Sequence, residues 1–279
     1  LILGPSLLPE YRDPNASSID AASVLLSLGA VLALVYGVKQ IAANNLSWPL
    51  VLIVGAGLVC GHIFLRRQRS LAYPLLDMAL FRQRAFSAAI AAYGLSCMAM
   101  FGVYLFITQY LQLVLALTPL QAGLATLPWA IAFMVGSLLA PGLARHLRRS
   151  VVLAWGLGTA AAGFITMTAM TETAGVAVLI AGTVMMGLGL APTFTIGNEM
   201  IITAAPPERA GAASALSETC AELSGALGIA LFGSMGMAVY RCALAAELPP
   251  ALSHANATTA LETLAGAIAI AQNSPQHEP

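Results

Sequence analysis

Gly211–Gly236 reads GAASALSETCAELSGALGIALFGSMG and carries two acids, Glu218 and Glu222, among small and aliphatic residues. Four residues apart, they share one face of a helix, one turn from each other. Carboxyls inside a bilayer-crossing helix are costly and mark proton or ion pathways. Low dielectric favours the neutral form of a carboxyl, and a second carboxyl one turn away opposes double ionisation. Such a pair can take up and release protons, and when charged it attracts a lipophilic cation. The alternative is a neutral Glu hydrogen-bonded to a neighbouring helix. The acid row reads Ser214, Glu218, Glu222, Ala226, Ala230; the neighbouring row reads Ser217, Ala221, Gly225, Ile229, Gly233. Small residues at four-residue steps let helices approach closely. One side is therefore expected to pack tightly, and the adjacent side to leave room beside the acids. At roughly 1.5 Å per residue, Glu222 lies about 15 Å along from Ala212, near a bilayer midplane, with Glu218 shallower. This makes Glu222 the main proton-linked candidate and Glu218 its partner or the first contact of a cation.

Other residues could complete a transport site. Tyr93, Met98, Phe101, Tyr104 and Gln109 lie in one apolar run and suit an adaptable cavity for flat cations. Ordinary bundle core explains the same residues. Asn198 and Glu199 add polar groups further on; Glu199, within two turns of Pro206, either lines the cavity or reaches the headgroups. The four cysteines have no ligand spacing, and His62 and His146 stand apart, so no metal is expected. No nucleophile–base constellation or phosphate-binding loop occurs, which excludes an enzyme and ATP-driven pumping. Any pumping then needs an ion gradient, and the acid pair makes protons the expected coupling ion, with no cofactor.

The elements that must hold these groups are membrane helices. The chain has 279 residues, 59% hydrophobic and 9% charged. A soluble domain carries roughly 25% charge, so this chain could not cover a water-facing surface. Zero net charge argues against a nucleic-acid partner. Seven apolar runs follow a polar loop at 9–21: about 22–43, 48–65, 86–114, 120–143, 151–170, 175–203 and 212–240. Each has about the 17–25 residues, or slightly more, that cross the hydrocarbon as a helix. Ten of the 12 Lys and Arg fall on one set of alternating loops, which makes that side cytoplasmic. Lys39, at a span end, snorkels. The expected fold is an all-α polytopic transmembrane bundle with about seven spans. Residues 1–8 read as the end of a preceding helix, 66–85 as a basic cytoplasmic loop and 241–279 as an extracytoplasmic segment with a short surface helix over 258–272. Beginning in mid-run at Leu1, the chain reads as a fragment of a longer polypeptide.

Three stretches carry a family likeness. Gln109–Ala130, QYLQLVLALTPLQAGLATLPWA, closely resembles the connection between the first two spans of the C-terminal half in fourteen-helix drug:proton antiporters of the major facilitator superfamily. Pro74–Phe86 is similar to the loop preceding it. Gly142–Gly156, GLARHLRRSVVLAWG, is similar to a degenerate copy of the family's cytoplasmic loop motif of a Gly, an acid and several basic residues. Gly142, Arg145, Arg148 and Arg149 stand at its positions, with Arg145 near the place of the acid. Glu218 and Glu222 stand where many relatives carry Asn and Arg, which resembles the branch exporting methyl viologen and other quaternary ammonium compounds. The resemblance implies that 22–65 is an extra hairpin and 86–240 five helices of the C-terminal bundle. It also implies proton-coupled efflux of cationic drugs across the bacterial cytoplasmic membrane by alternating access. The partners would be the lipid bilayer and the missing N-terminal six-helix half and last helix. A non-transporting membrane scaffold, or a truncated gene product, is the alternative.

Overall fold

A computed structural model describes residues 20–44, 47–71, 74–76, 78–171, 175–207, 210–248 and 254–273. The expected helix end at 1–8, most of the 9–21 loop, Arg12, Arg209 and the final residues lie outside these. Among the described residues all regular elements are helical: α1 (Ala21–Asn44), α2 (Trp48–Ser70), α3 (Arg84–Gln109), α4 (Pro119–Ala125), α5 (Leu127–His146), α6 (Arg149–Met167), α7 (Gly175–Thr203), α8 (Ala210–Glu247), α9 (His254–Glu262) and α10 (Leu264–Asn273). Six stretches are long and apolar enough to cross a membrane: α2, α3 with its following turn, α4 with α5, α6, α7 and α8. In α1 the described apolar part is Ala21–Gly37. All seven apolar runs of the sequence lie in helices, and the molecule is an all-α membrane bundle.

Their apolar faces explain the arrangement. Leu28, Leu58, Leu138, Trp155 and Ile165 are exposed, as lipid contact requires. Helix α7 is the most buried and packs against α6, α5 and α3. Gly156 of α6 is needed for its approach to α7: a Cβ there would stand 2.6 Å from the carbonyl of Gly189. Backbone contact of this kind substitutes for the hydrophobic drive that lipid removes. Helices α1 and α2 pair as a hairpin, and α1 also touches α8.

Three local features depart from the sequence expectation. The run at 120–143 is broken at Thr126. Thr118 and Gln121 form a capping box that starts α4, the Thr118 side chain accepting from Gln121 N and the Gln121 side chain from Thr118 N at 3.0 Å. Pro128, in the first turn of α5, has no N–H to continue the ladder. Helix α3 ends in a π-helical turn, Tyr110–Val114, and Ala116 beyond it has φ 50°, a left-handed conformation that costs a non-glycine residue about 1–2 kcal/mol. The short surface helix expected at 258–272 is two helices, α9 and α10. Tyr240 and Arg241 of α8 donate to their junction, at Ala260 O (2.9 Å) and Leu261 O (3.1 Å).

Helix α8 has 38 residues. At roughly 1.5 Å per residue it is about 57 Å long, well beyond the ~30 Å of bilayer hydrocarbon. Its last turns are therefore free to carry that junction clear of the lipid tails.

Candidate functional site

Helix α8 is positioned by α3. A Cβ on Gly94 of α3 would meet Ser224 Oγ at 2.9 Å and Cys220 Sγ at 3.0 Å. A Cβ on Gly228 of α8 would collide with the Met98 carbonyl. Ala213, Ser217, Gly225 and Gly228 are accordingly buried. The small-residue row does pack as its spacing suggests, except at Ile229, which is 44% exposed.

Glu218 and Glu222 lie on the adjacent face of α8, and both are exposed. Glu218 is close enough to interact electrostatically with Tyr93 and Cys97, and Glu222 with Cys97. The acids thus border α3, with Cys97 fully buried between the two helices.

The aromatic candidates divide. Tyr93 is buried and meets Phe194 of α7 edge-on, ring centroids 5.2 Å apart. Phe194 meets Phe133 of α5 at 5.6 Å, Phe133 meets Trp129 at 5.9 Å, and Trp129 meets Tyr104 at 5.8 Å. Five rings therefore run unbroken from Tyr93, within electrostatic reach of Glu218, to the partly exposed Tyr104. Phe101 lies over Gly225, and Met98 offers its carbonyl to Gly228. Gln109 is exposed at the end of α3.

Asn198 lies one turn from Phe194 on α7, and its Oδ1 is buried without a hydrogen-bond partner. Its neighbour Glu199 is joined instead to the basic loop, where Arg149 Nη2 donates to it at 2.7 Å. Gly142 is open to its surroundings, and Arg145 and Arg148 are exposed. These loop residues are not brought to the acids.

Sequence reasoning missed Trp129, Phe133 and Phe194. The i,i+4 spacing of Trp129 and Phe133 was a usable signal for a shared helix face. Trp129 Nε1 is also buried without a partner. Among the described residues no group of three His, Cys, Asp or Glu is placed to hold a metal. Chemically, the assembly offers two accessible carboxyls beside an aromatic wall.

Residues 15–229 match the Major Facilitator Superfamily. The chain belongs to that family. Major facilitator proteins of this kind are transporters rather than enzymes, and this chain is a multi-pass bacterial membrane protein. It is 38% identical over 275 residues to the multidrug efflux pump LfrA of Mycolicibacterium smegmatis, covering 99% of this chain and 54% of that protein. It is 30% identical over 259 residues to the multidrug resistance protein Stp of Mycobacterium tuberculosis, covering 91% and 47%. It is 28% identical over 270 residues to the methyl viologen resistance protein SmvA of Salmonella typhimurium, covering 96% and 54%. The major facilitator chain spans about half the length of the curated relatives it matches.

Proposed function

We propose that this chain is part of a proton-coupled multidrug efflux transporter that moves lipophilic or quaternary ammonium cations across the cytoplasmic membrane. The observation that carries this is the placement of Glu218 and Glu222. Both are exposed on α8, with Glu218 within electrostatic reach of Tyr93 on α3, rather than buried inside the helix packing. An ionised carboxylate there attracts a cation, and the ring faces beside it hold a flat one. A proton arriving at Glu222 removes the charge that retains the cation, so proton entry and cation release oppose each other at one site. Exposure of the site to alternate sides would come from rocking of two bundles against each other. The facing bundle would be supplied by a longer polypeptide, in keeping with relatives about twice the length of this chain.

The test uses the full-length transporter in inverted membrane vesicles, with methyl viologen as cargo and an imposed proton gradient. Glu222→Gln is expected to abolish gradient-driven export, and Glu218→Gln to weaken it. Unchanged export in both single variants and in the double variant overturns the mechanism.

The half-length match also supports a second reading, that the 279-residue chain by itself is a non-transporting membrane scaffold. Reconstituted proton-driven export by that chain alone would refute it.

A further inference from the structure

The end of the α1–α2 hairpin holds a polar knot. Gln68 of α2 is 2% exposed and Ser23 of α1 fully buried. Gln68 Nε2 donates to Ser23 Oγ at 2.8 Å, and Ser23 Oγ donates to Asp20 Oδ2 at 2.6 Å. Asp20 also accepts from Arg67 Nε at 2.7 Å and from Nη2 at 3.0 Å. The other end of the Gln68 amide, Oε1, accepts from Leu76 N at 3.1 Å. One buried side chain thus ties α1, α2 and the following loop together.

That loop reaches the base of the acid-bearing helix. Pro74, Leu75, Leu76 and Leu80 face Ala205, Pro206, Ala212, Ala213 and Leu216 across a narrow cleft. Leu216, two residues before Glu218, packs in the same cluster as Leu80, Tyr93 and Cys97. Helix α1 touches α8 directly as well.

We propose that Gln68 is a positioning residue for Glu218 and Glu222, fixing Leu75 and Leu76 against the base of α8 so that the α1–α2 hairpin and the acid helix move as one body. This rests on the transport reading above. A hairpin that only filled lipid-facing space needs apolar contacts alone. A satisfied buried amide instead fixes a single arrangement, because leaving either of its ends unpaired is costly.

In the full-length transporter, Gln68→Leu strands Leu76 N and frees the loop. In the methyl viologen export assay, the expected result is a fall in maximal rate with KM unchanged, because Leu76 N loses its partner and the contact at the base of α8 loosens. Cross-linking of a Leu75→Cys/Ala212→Cys pair by a short bis-maleimide, judged against each single variant, should fall in the Gln68→Leu background. Parental membrane levels with unchanged maximal rate and unchanged cross-linking would overturn the proposal. If Gln68→Leu does not reach the membrane, Ser23→Ala decides by the same two measurements, with a smaller loss expected. If Glu218→Gln, Glu222→Gln and the double variant all export normally, the acid mechanism has failed, and the cross-linking alone decides whether Gln68 positions α8.

Discussion

Arg149 Nη2 donates to Glu199 Oε1 across 2.7 Å, joining the first turn of α6 to the last third of α7. Both side chains are nearly half exposed. Such a pair contributes about 0–1 kcal/mol and is screened by salt. Glu199→Gln should therefore lower the Tm of the detergent-solubilised transporter only slightly, and not at all at high salt. Methyl viologen export should be retained. Loss of export at unchanged Tm would return Glu199 to the cation cavity.

Asp20 supplies a pH prediction. Its hydrogen bonds from Arg67, and then from Ser23, hold its carboxyl well below the usual carboxylate range. A depressed folded-state value contributes stability that is present above the unfolded value, near pH 3.9, and is lost as pH falls through the folded one. The stability gap between the parent and Asp20→Asn should stay constant from about pH 5 to 8 and narrow only below about pH 4. Thermal unfolding across that range measures it. A gap that closes near neutral pH would contradict the assignment.

Phe194 decides between the two meanings left open for the aromatic residues. It touches both Tyr93 and Phe133, so its removal cuts the ring series in the middle. If the rings hold the cation, Phe194→Ala forfeits about 0.5–2 kcal/mol of cation–π attraction, a rise in KM of roughly twofold to thirtyfold. If they are only core, KM stays put and stability falls by about 3–5 kcal/mol from the cavity alone. The cavity reading predicts the first result, measured as KM for methyl viologen against Tm.

Two glycine substitutions should behave in opposite ways. A Cβ at Gly228 collides with the Met98 carbonyl, whereas nothing lies within 4 Å of one at Gly158. Gly228→Ala should destabilise by about 1–3 kcal/mol through overpacking. Gly158→Ala should stabilise α6 by up to about 1 kcal/mol through helix propensity. Paired Tm measurements read the difference, and equal shifts would show that α3 and α8 are not in backbone contact.

Much of the fold was legible because lipid imposes one rule: apolar runs of spanning length become helices. The acid pair was legible for the same reason, since charge inside such a run is conspicuous. The break at Thr126 was harder to see. Pro128 was visible, but whether a proline kinks, breaks or begins a helix depends on neighbours, and here the capping box at Thr118 settles it. The ring series was legible only in part, because Phe194 comes from a helix some sixty residues away from Trp129 and Phe133. Gln68 was not legible at all. It follows two arginines in a basic stretch, and only the fold shows that it turns inward to Ser23 while Arg66 and Arg69 face out.

The contact between Gly228 and Met98 has a mechanical consequence. Where two helices meet through side chains, one can roll against the other while the side chains re-pack. Where backbone meets backbone there is no compressible layer, so α8 cannot rotate on α3 without first separating from it. In the proposed transport cycle Tyr93 and Glu218 would then keep a constant spacing, like marks on one rigid strut. The affinity of the proposed cation site would change through what approaches it from outside, not through distortion within.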